Sequence, residues 1–466
     1  MQSLKDHLNL KLNKKLIFVT LFCLAFLQFH ALFGATSQGV RRISLGTNGL
    51  EADGSSFHLY FSEDADIAVF QSYAHNWNVN DPLPALQDVF IRDDGNNITT
   101  QITRGNDDSF DPSVSLDGRY VAFTSYASDL VPNDNNTTSI WIRDGLDVFL
   151  YDRQSGSLKR VSLTYSNSEI KGNSIGGISP DGQFIVFLSN GQNIINGETN
   201  GPFKPAIYLR NWKTGEIERL TFGIESPTAF PDNALGGISM SEDNRYVVFE
   251  AEATNLVSND TNGVLDVFML DRQTGITKRI SQPPAGGNGN GLSAKARISL
   301  DGSVIVFHSE ASNLVPNDTN GSMDVFAYTI ATGELERISI NNNGIQGNGL
   351  SREPSVCGNG RFVTFTSEST NLHTGDTNNE RDIFLHDLWL SETYLITKSD
   401  SGTIGNGKAH RSFISGDCLV AGFASDATNL VTGDQNSSRD LFRTDLLFSQ
   451  LEAPTLAFNG EKTEGS

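Results

Sequence analysis

Four stretches of the chain carry the pattern D-x-N-x-x-x-D at constant spacing: Asp260, Asn262 and Asp266; Asp318, Asn320 and Asp324; Asp376, Asn378 and Asp382; and Asp434, Asn436 and Asp440. Each is preceded by a further acid, Glu252, Glu310, Glu368 or Asp426, three residues after a phenylalanine. Hard oxygen donors in an Asn- and Gly-rich loop are what Ca²⁺ takes, and extracellular modules bind it as weakly as about 10⁻³ M. Carboxylates gathered without compensation repel one another, which favours an ion among them. The same residue types also bond their own backbone in Asx-turns. Two readings therefore stand for these loops, a calcium site and a backbone brace. An Asn or Asp six residues after the Phe recurs more widely (Asn76, Asp129, Asn193, Asn255, Asn313, Asn371, Asn429) and reads as bracing.

The elements that must hold these loops form a repeat. An Asp-Val-Phe type segment begins at Asp88, Asp147, Asp266, Asp324, Asp382 and Asp440, with Ala206-Ile207-Tyr208 in the remaining place, at spacings of 58 to 60 residues. A second anchor recurs at Phe70, Phe123, Phe187, Phe249, Phe307, Phe365 and Phe423. Aromatics that keep so strict a period are core. Each unit reads as four short strands, a to d: in the second, residues 112–115, an Asp117-Gly118 turn, 119–125, a long loop, 147–151, a second turn and 159–162. Runs such as Tyr246-Val247-Val248-Phe249 are apolar on both faces, as in a strand covered on either side. Four-stranded units at this period predict an all-β fold, a seven-bladed β-propeller of antiparallel blades. The first strand d, Arg42-Ile43-Ser44, has no strands a to c before it, and the last unit has no strand d after residues 440–445. Residues 40–44 are therefore expected to complete the last blade and close the ring, which leaves no free sheet edge.

Residues 115–125 (SLDGRYVAFTS) and 266–275 (DVFMLDRQTG) closely resemble the TolB-like, or WD40-like, propeller repeat, over about residues 40–445. The resemblance implies the propeller fold. TolB itself has six blades and an added α/β domain; this chain shows neither feature, so the role of TolB with an outer-membrane lipoprotein does not carry over. Some TolB-like propellers are polysaccharide lyases that use channel histidines and a metal, and His58 and His410 fall on or beside strand a.

Alternating strand directions put the a–b and c–d turns on one face and the b–c and d–a loops on the other. The second set is long and contains Gly289-Asn290-Gly291, Gly347-Asn348-Gly349 and Gly405-Asn406-Gly407. Loops on a rigid scaffold are where binding resides, although such loops also serve simply to bridge sheets. One position of strand a departs from the repeat, reading His58, Asp111, Ile175, Gly237, Lys295, Glu353 and Arg411 around the ring. Its charged members, at the mouth of the central channel, are expected either to bind a polar or acidic ligand or to pair with one another around solvent.

The G-x-S-x-G string at residues 172–176 (GNSIG) falls in strand a of the third unit rather than between a strand and a helix, so it makes no nucleophile elbow, and no H-E-x-x-H is present. With 34 Lys+Arg against 55 Asp+Glu in 466 residues, a net charge of −21 leaves no basic stripe for nucleic acid. Lys11, Lys14 and Lys15 precede an apolar run from Leu16 to Leu27 and small residues at Ala31, Gly34 and Ala35, a secretory leader pattern, with an uncleaved anchor as the alternative. The expected layout is a leader at 1–35, the propeller at 36–448 and a flexible tail at 449–466. No membrane span would remain after leader removal, and the protein would be periplasmic or extracellular. Cys357 and Cys418 fall in neighbouring units. Export invites a disulfide, yet neighbouring sheets lie about 10 Å apart, so the bond requires their turns to converge. The preferred function is an exported, non-catalytic module binding a protein or glycan on the b–c/d–a face, with Ca²⁺ as its candidate cofactor; the alternative is a polysaccharide lyase or hydrolase centred on the channel.

Overall fold

A computed structural model describes residues 39–446, apart from 78–85, 133, 135–144, 171, 199–204, 227–228 and 234. The expected leader and tail lie outside the described residues. Seven four-stranded antiparallel sheets form the blades. Blade six shows the plan: strand a Ser351–Val356, b Phe362–Ser367, c Asp382–Asp387 and d Glu392–Leu395. Strands a of neighbouring blades, those of blades three and four excepted, contact one another around the centre, and strand d is outermost, with alternate residues exposed.

Ring closure is as the repeat count requires. Blade seven takes strands a to c from Ala409–Ile414, Val420–Ser425 and Asp440–Asp445, and its strand d from Arg41–Arg42 at the other end of the propeller. Arg41 pairs with Arg443 and Arg42 with Phe442. Ser44 Oγ donates to Asp440 Oδ1 at 2.6 Å, the bond that Ser281 makes to Asp266 and Ser339 to Asp324 at 2.5 Å. The Asp that opens strand c thus fastens strand d in each of these blades.

Strand b is the buried one because sheets flank it: Val304–Ser309 and Val420–Ser425 have no exposed position. The two recurrent aromatics stack within each blade at ring separations of 5.6 to 5.9 Å, as in Phe123–Phe149 and Phe365–Phe384. Full burial of such a ring contributes about 1.5–3 kcal/mol.

Strand a departs from regularity. In six blades its pairing with strand b shifts register by a bulge, at a residue in the left-handed region: His58 (φ 50°), Asp111 (47°), Gly237 (31°), Lys295 (53°), Glu353 (55°) and Arg411 (28°). Only one of these is glycine. A side chain there costs on the order of 1 kcal/mol. Blade three, with Ile175, pairs without a break.

On the opposite face the a–b turns are laced to one another by backbone. Glu63 N donates to Leu116 O, Leu116 N to Pro180 O, Glu242 N to Leu300 O, Asp301 N to Gly358 O, Gly358 N to Gly416 O and Asp417 N to Glu63 O, all at 2.8–3.0 Å. This convergence lifts the objection to a disulfide. Cys357 and Cys418 are bonded, with Cα atoms 5.1 Å apart, because turns drawn together near the axis are not held at the spacing of mid-strand sheets. Gly358 permits the approach, since a Cβ on it would lie 2.4 Å from Gly416 O. Reduction is expected to destabilise the fold by about 2–4 kcal/mol, read as a lower melting temperature in reductant that Cys357→Ser reproduces.

Candidate functional site

The acidic loops hold a cation of their own. In blade four Arg279 Nη1 lies 2.9 Å from Asp260 Oδ1 and 3.5 Å from Asp266 Oδ2. In blade five Arg337 Nη1 lies 3.3 Å from Asp318 Oδ1 and 3.4 Å from Asp324 Oδ2. In blade seven Arg42 stands 3.8 Å from Asp434, 3.2 Å from Asp440 and 2.9 Å from Glu51. Blade two lacks the motif but repeats the device, with Arg160 at 3.0, 3.3 and 3.4 Å from Asp134, Asp147 and Glu169. Those three acids are the only group of three or more His, Cys, Asp or Glu ligand atoms found close together among the described residues. Buried carboxylates are tolerable when paired, and strand d supplies the partner. Burial pushes the carboxyl of Asp147 up to about 7 and those of Asp324 and Asp440 up to about 6, against the pull of hydroxyl and arginine partners.

The motif asparagines brace. Asn262, Asn320, Asn378 and Asn436 donate Nδ2 to the carbonyls of Gly289, Gly347, Gly405 and Ala52 in the following d–a loops, at 2.9–3.2 Å. Those loops are fastened again by Asn290, Asn348 and Asn406, whose Oδ1 and Nδ2 clamp Ser312, Thr370 and Thr428. The acids after the Phe do not join the aspartate pairs: Glu252, Glu310 and Glu368 are exposed, and Asp426 holds His410 and Arg439 at 2.9 and 2.8 Å.

The mouth residues all occupy the bulges of the innermost strand. His58 Nδ1 shares its proton between Asp111 Oδ1 (2.9 Å) and Gln71 Oε1 (3.0 Å), and Arg411 Nε reaches Glu353 Oε1 at 3.3 Å. Burial works against the Asp111 carboxylate, yet its hydrogen bond to His58 and the fields of His58, Arg411 and Lys295 hold its pKa below the usual carboxylate range. Groups from blades one, two, five and seven therefore share one space. Lys295 is exposed and makes no hydrogen bond or ion pair among the described residues. The bulges are secured from strand b: Gln71 Oε1 accepts from Asp111 N, Glu250 Oε1 from Ala296 N and His308 Nδ1 from Glu353 N, at 2.8–3.0 Å. His308 serves as an acceptor because burial lowers its pKa to about 4.

Below this ring the channel is crossed. Arg297 Nη2 donates to Tyr60 Oη at 3.3 Å, from blade five to blade one, and the Tyr60 ring packs on Phe413 of blade seven at 4.1 Å. The mouth is thus a cup with Tyr60 and Arg297 across its base, where Arg297 has no carboxylate partner among the described residues. At the rim in blade six, the side chains of Arg352 and Arg381 make no hydrogen bond or ion pair among the described residues; burial lowers the Arg381 pKa and the charge of Arg352 adds to the effect. Sequence reading missed Arg297, Arg352 and Arg381. A signal existed for the last, since the residue before the strand c Asp is Leu265 and Met323 in blades four and five but Arg381 and Arg439 in six and seven.

No protein-family model matches the chain, and no curated protein matches its sequence. Solved structures do match its shape. An oligogalacturonate lyase from Vibrio parahaemolyticus shares 13% identity over 87% of this chain and 93% of its own, with a TM-score of 0.51. A prolyl endopeptidase structure shares 11% over 85% of this chain and 49% of its own, with a TM-score of 0.54. TolB from Acinetobacter baumannii shares 16% over 78% and 65%, with a TM-score of 0.39. What is shared at this level is the fold: the chain is a seven-bladed β-propeller.

Proposed function

We propose that the chain is an exported, non-catalytic binding module that takes an acidic glycan by seating a carboxylate in the cup at the channel mouth. Lys295 carries this reading: a lysine whose side chain makes no hydrogen bond or ion pair among the described residues, held in a left-handed conformation where glycine would cost nothing, in a chain of net charge −21. Arg411 and Arg297 add charge-assisted donors around the same space. The disulfide supports an oxidising compartment, in keeping with the leader pattern at residues 1–35. A lyase or hydrolase acting in the same cup is the rival. It would need a base, and there the histidines are held through one ring nitrogen each, His58 Nδ1 by Asp111 and Gln71 and His410 Nε2 by Asp426, so turnover and not geometry separates the two readings.

Calorimetric titration with uronic-acid oligosaccharides is expected to show binding that weakens with salt and is absent for neutral oligosaccharides. Lys295→Ala removes one charge-assisted bond and is expected to weaken affinity about 10- to 100-fold. Lys295→Gly should do the same without lowering the melting temperature, because glycine relieves the backbone. Failure of every acidic glycan to bind sinks the reading. Release of shorter products on prolonged incubation, lost in Lys295→Ala, hands the site to the enzyme.

A further inference from the structure

Blade six keeps the acid pair and lacks the arginine. Arg42, Arg279 and Arg337 each pair in register with the strand c aromatic, Phe442, Phe268 and Phe326; in blade six the residue opposite Phe384 is Leu395. The loop position that supplies Glu51 in blade seven and Glu169 in blade two is Ile404 here. Asp376 is 8% exposed and Asp382 fully buried. Asp382 Oδ1 accepts the Thr397 hydroxyl, but Asp376 Oδ1 and Asp382 Oδ2 are buried without a hydrogen-bond partner. These are the same two oxygens that touch the guanidinium in blades four, five and seven. Asn378 turns its Nδ2 to Gly405 O at 3.0 Å, and its Oδ1 accepts from Glu380 N at 2.9 Å.

We propose that this gap binds one divalent cation, Ca²⁺, in the place its sister blades give to arginine. Three related blades mark the position with a positive charge, and the fourth aims two buried, unpartnered carboxylate oxygens at it. The chemistry of the donors selects the ion. They are all hard oxygens with no imidazole or thiolate among them, which suits Ca²⁺ over zinc or copper. Two carboxylates balance a 2+ charge, and so small a donor set, completed by water, fits the weak extracellular range of about 10⁻⁴–10⁻³ M. Blades four, five and seven need no ion, so the stoichiometry is one. The inference does not depend on what the cup binds.

The experiment uses the folded chain and CaCl₂ alone. Calorimetry is expected to give one site per chain, and 10 mM Ca²⁺ should raise the melting temperature by about 1–3 °C over EGTA. Leu395→Arg rebuilds the sister arrangement; it should abolish the calcium response and melt in EGTA at or above the calcium-loaded wild type. Asp376→Asn, which relieves the unpaired charge, should also lose the response without melting lower in EGTA, and it decides the matter if Leu395→Arg does not fold. A wild type indifferent to calcium and chelator overturns the proposal, as does a response that survives in both variants. Stabilisation on acidification alone, with no calcium effect at pH 7.5, would mean that the pair shares a proton, and that also overturns it.

Discussion

Arg279→Met is expected to destabilise the propeller by about 3–5 kcal/mol at pH 8, since removing one partner strands the others in a buried site. The arginine side chain is 4% exposed and Asp266 wholly buried, and no water-filled surface is at hand to take over the solvation. The pH dependence has a definite sign. Burial already raises the Asp260 and Asp266 carboxyls above their ordinary value, so each binds its proton more tightly folded than unfolded. That contribution is fully present below the unfolded pKa near 4 and is lost as pH rises through the folded value. Without Arg279 the folded values climb further, so the deficit should shrink from pH 8 toward pH 5. Adding Asp260→Asn and Asp266→Asn to Arg279→Met should restore most of the loss, because the complete neutral set leaves no orphaned charge. Denaturant melts at the two pH values measure both effects. A loss under about 1 kcal/mol, or one unchanged by pH, would show that something other than arginine balances these loops.

The second large effect concerns the closing strand. A chain lacking residues 1–46 is expected to be insoluble or to lose its single cooperative transition, whereas one lacking residues 1–38 should melt as the full chain does. The segment contributes the pairing of Arg41 and Arg42 with strand c of blade seven, the wholly buried Ile43, the Ser44–Asp440 bond and the Arg42 contacts to Asp434 and Asp440. Its removal bares the edge of Asp440–Asp445, and an unpaired edge is a template for aggregation. A milder probe is Ile43→Ala, expected to cost about 2–4 kcal/mol as a buried deletion. A truncated chain that melts at the temperature of the intact one would mean that the ring does not depend on this seam.

The blade plan was legible because every unit has the same packing problem. Aromatics at two fixed places, turns after strand a and a period of 58 to 60 residues all express one repeated core, and the surplus strand d at the front predicted the closure. The mouth ring was legible for the opposite reason, as the place where the repeat stops being obeyed. What local spacing did not carry was the third dimension. Arg337 and Asp324 are 13 residues apart on different strands, and only the c–d register makes them neighbours, so the acidic loops showed their charge and not their counter-ion. Arg297 and Tyr60, 237 residues apart, meet across the ring. The disulfide depended on turns whose convergence is made by backbone hydrogen bonds, to which side-chain identity contributes little beyond glycine at 358.

The crossing of Tyr60 and Arg297 beneath the mouth puts two large side chains in the path through the propeller. On the proposed glycan reading, a long sugar polymer obstructed there would enter by a terminus or a side branch and withdraw by the way it came. Capacity for such a guest would scale with the number of ends in a sample and not with its mass, so clipping the same material into shorter pieces would multiply the places where this protein can sit.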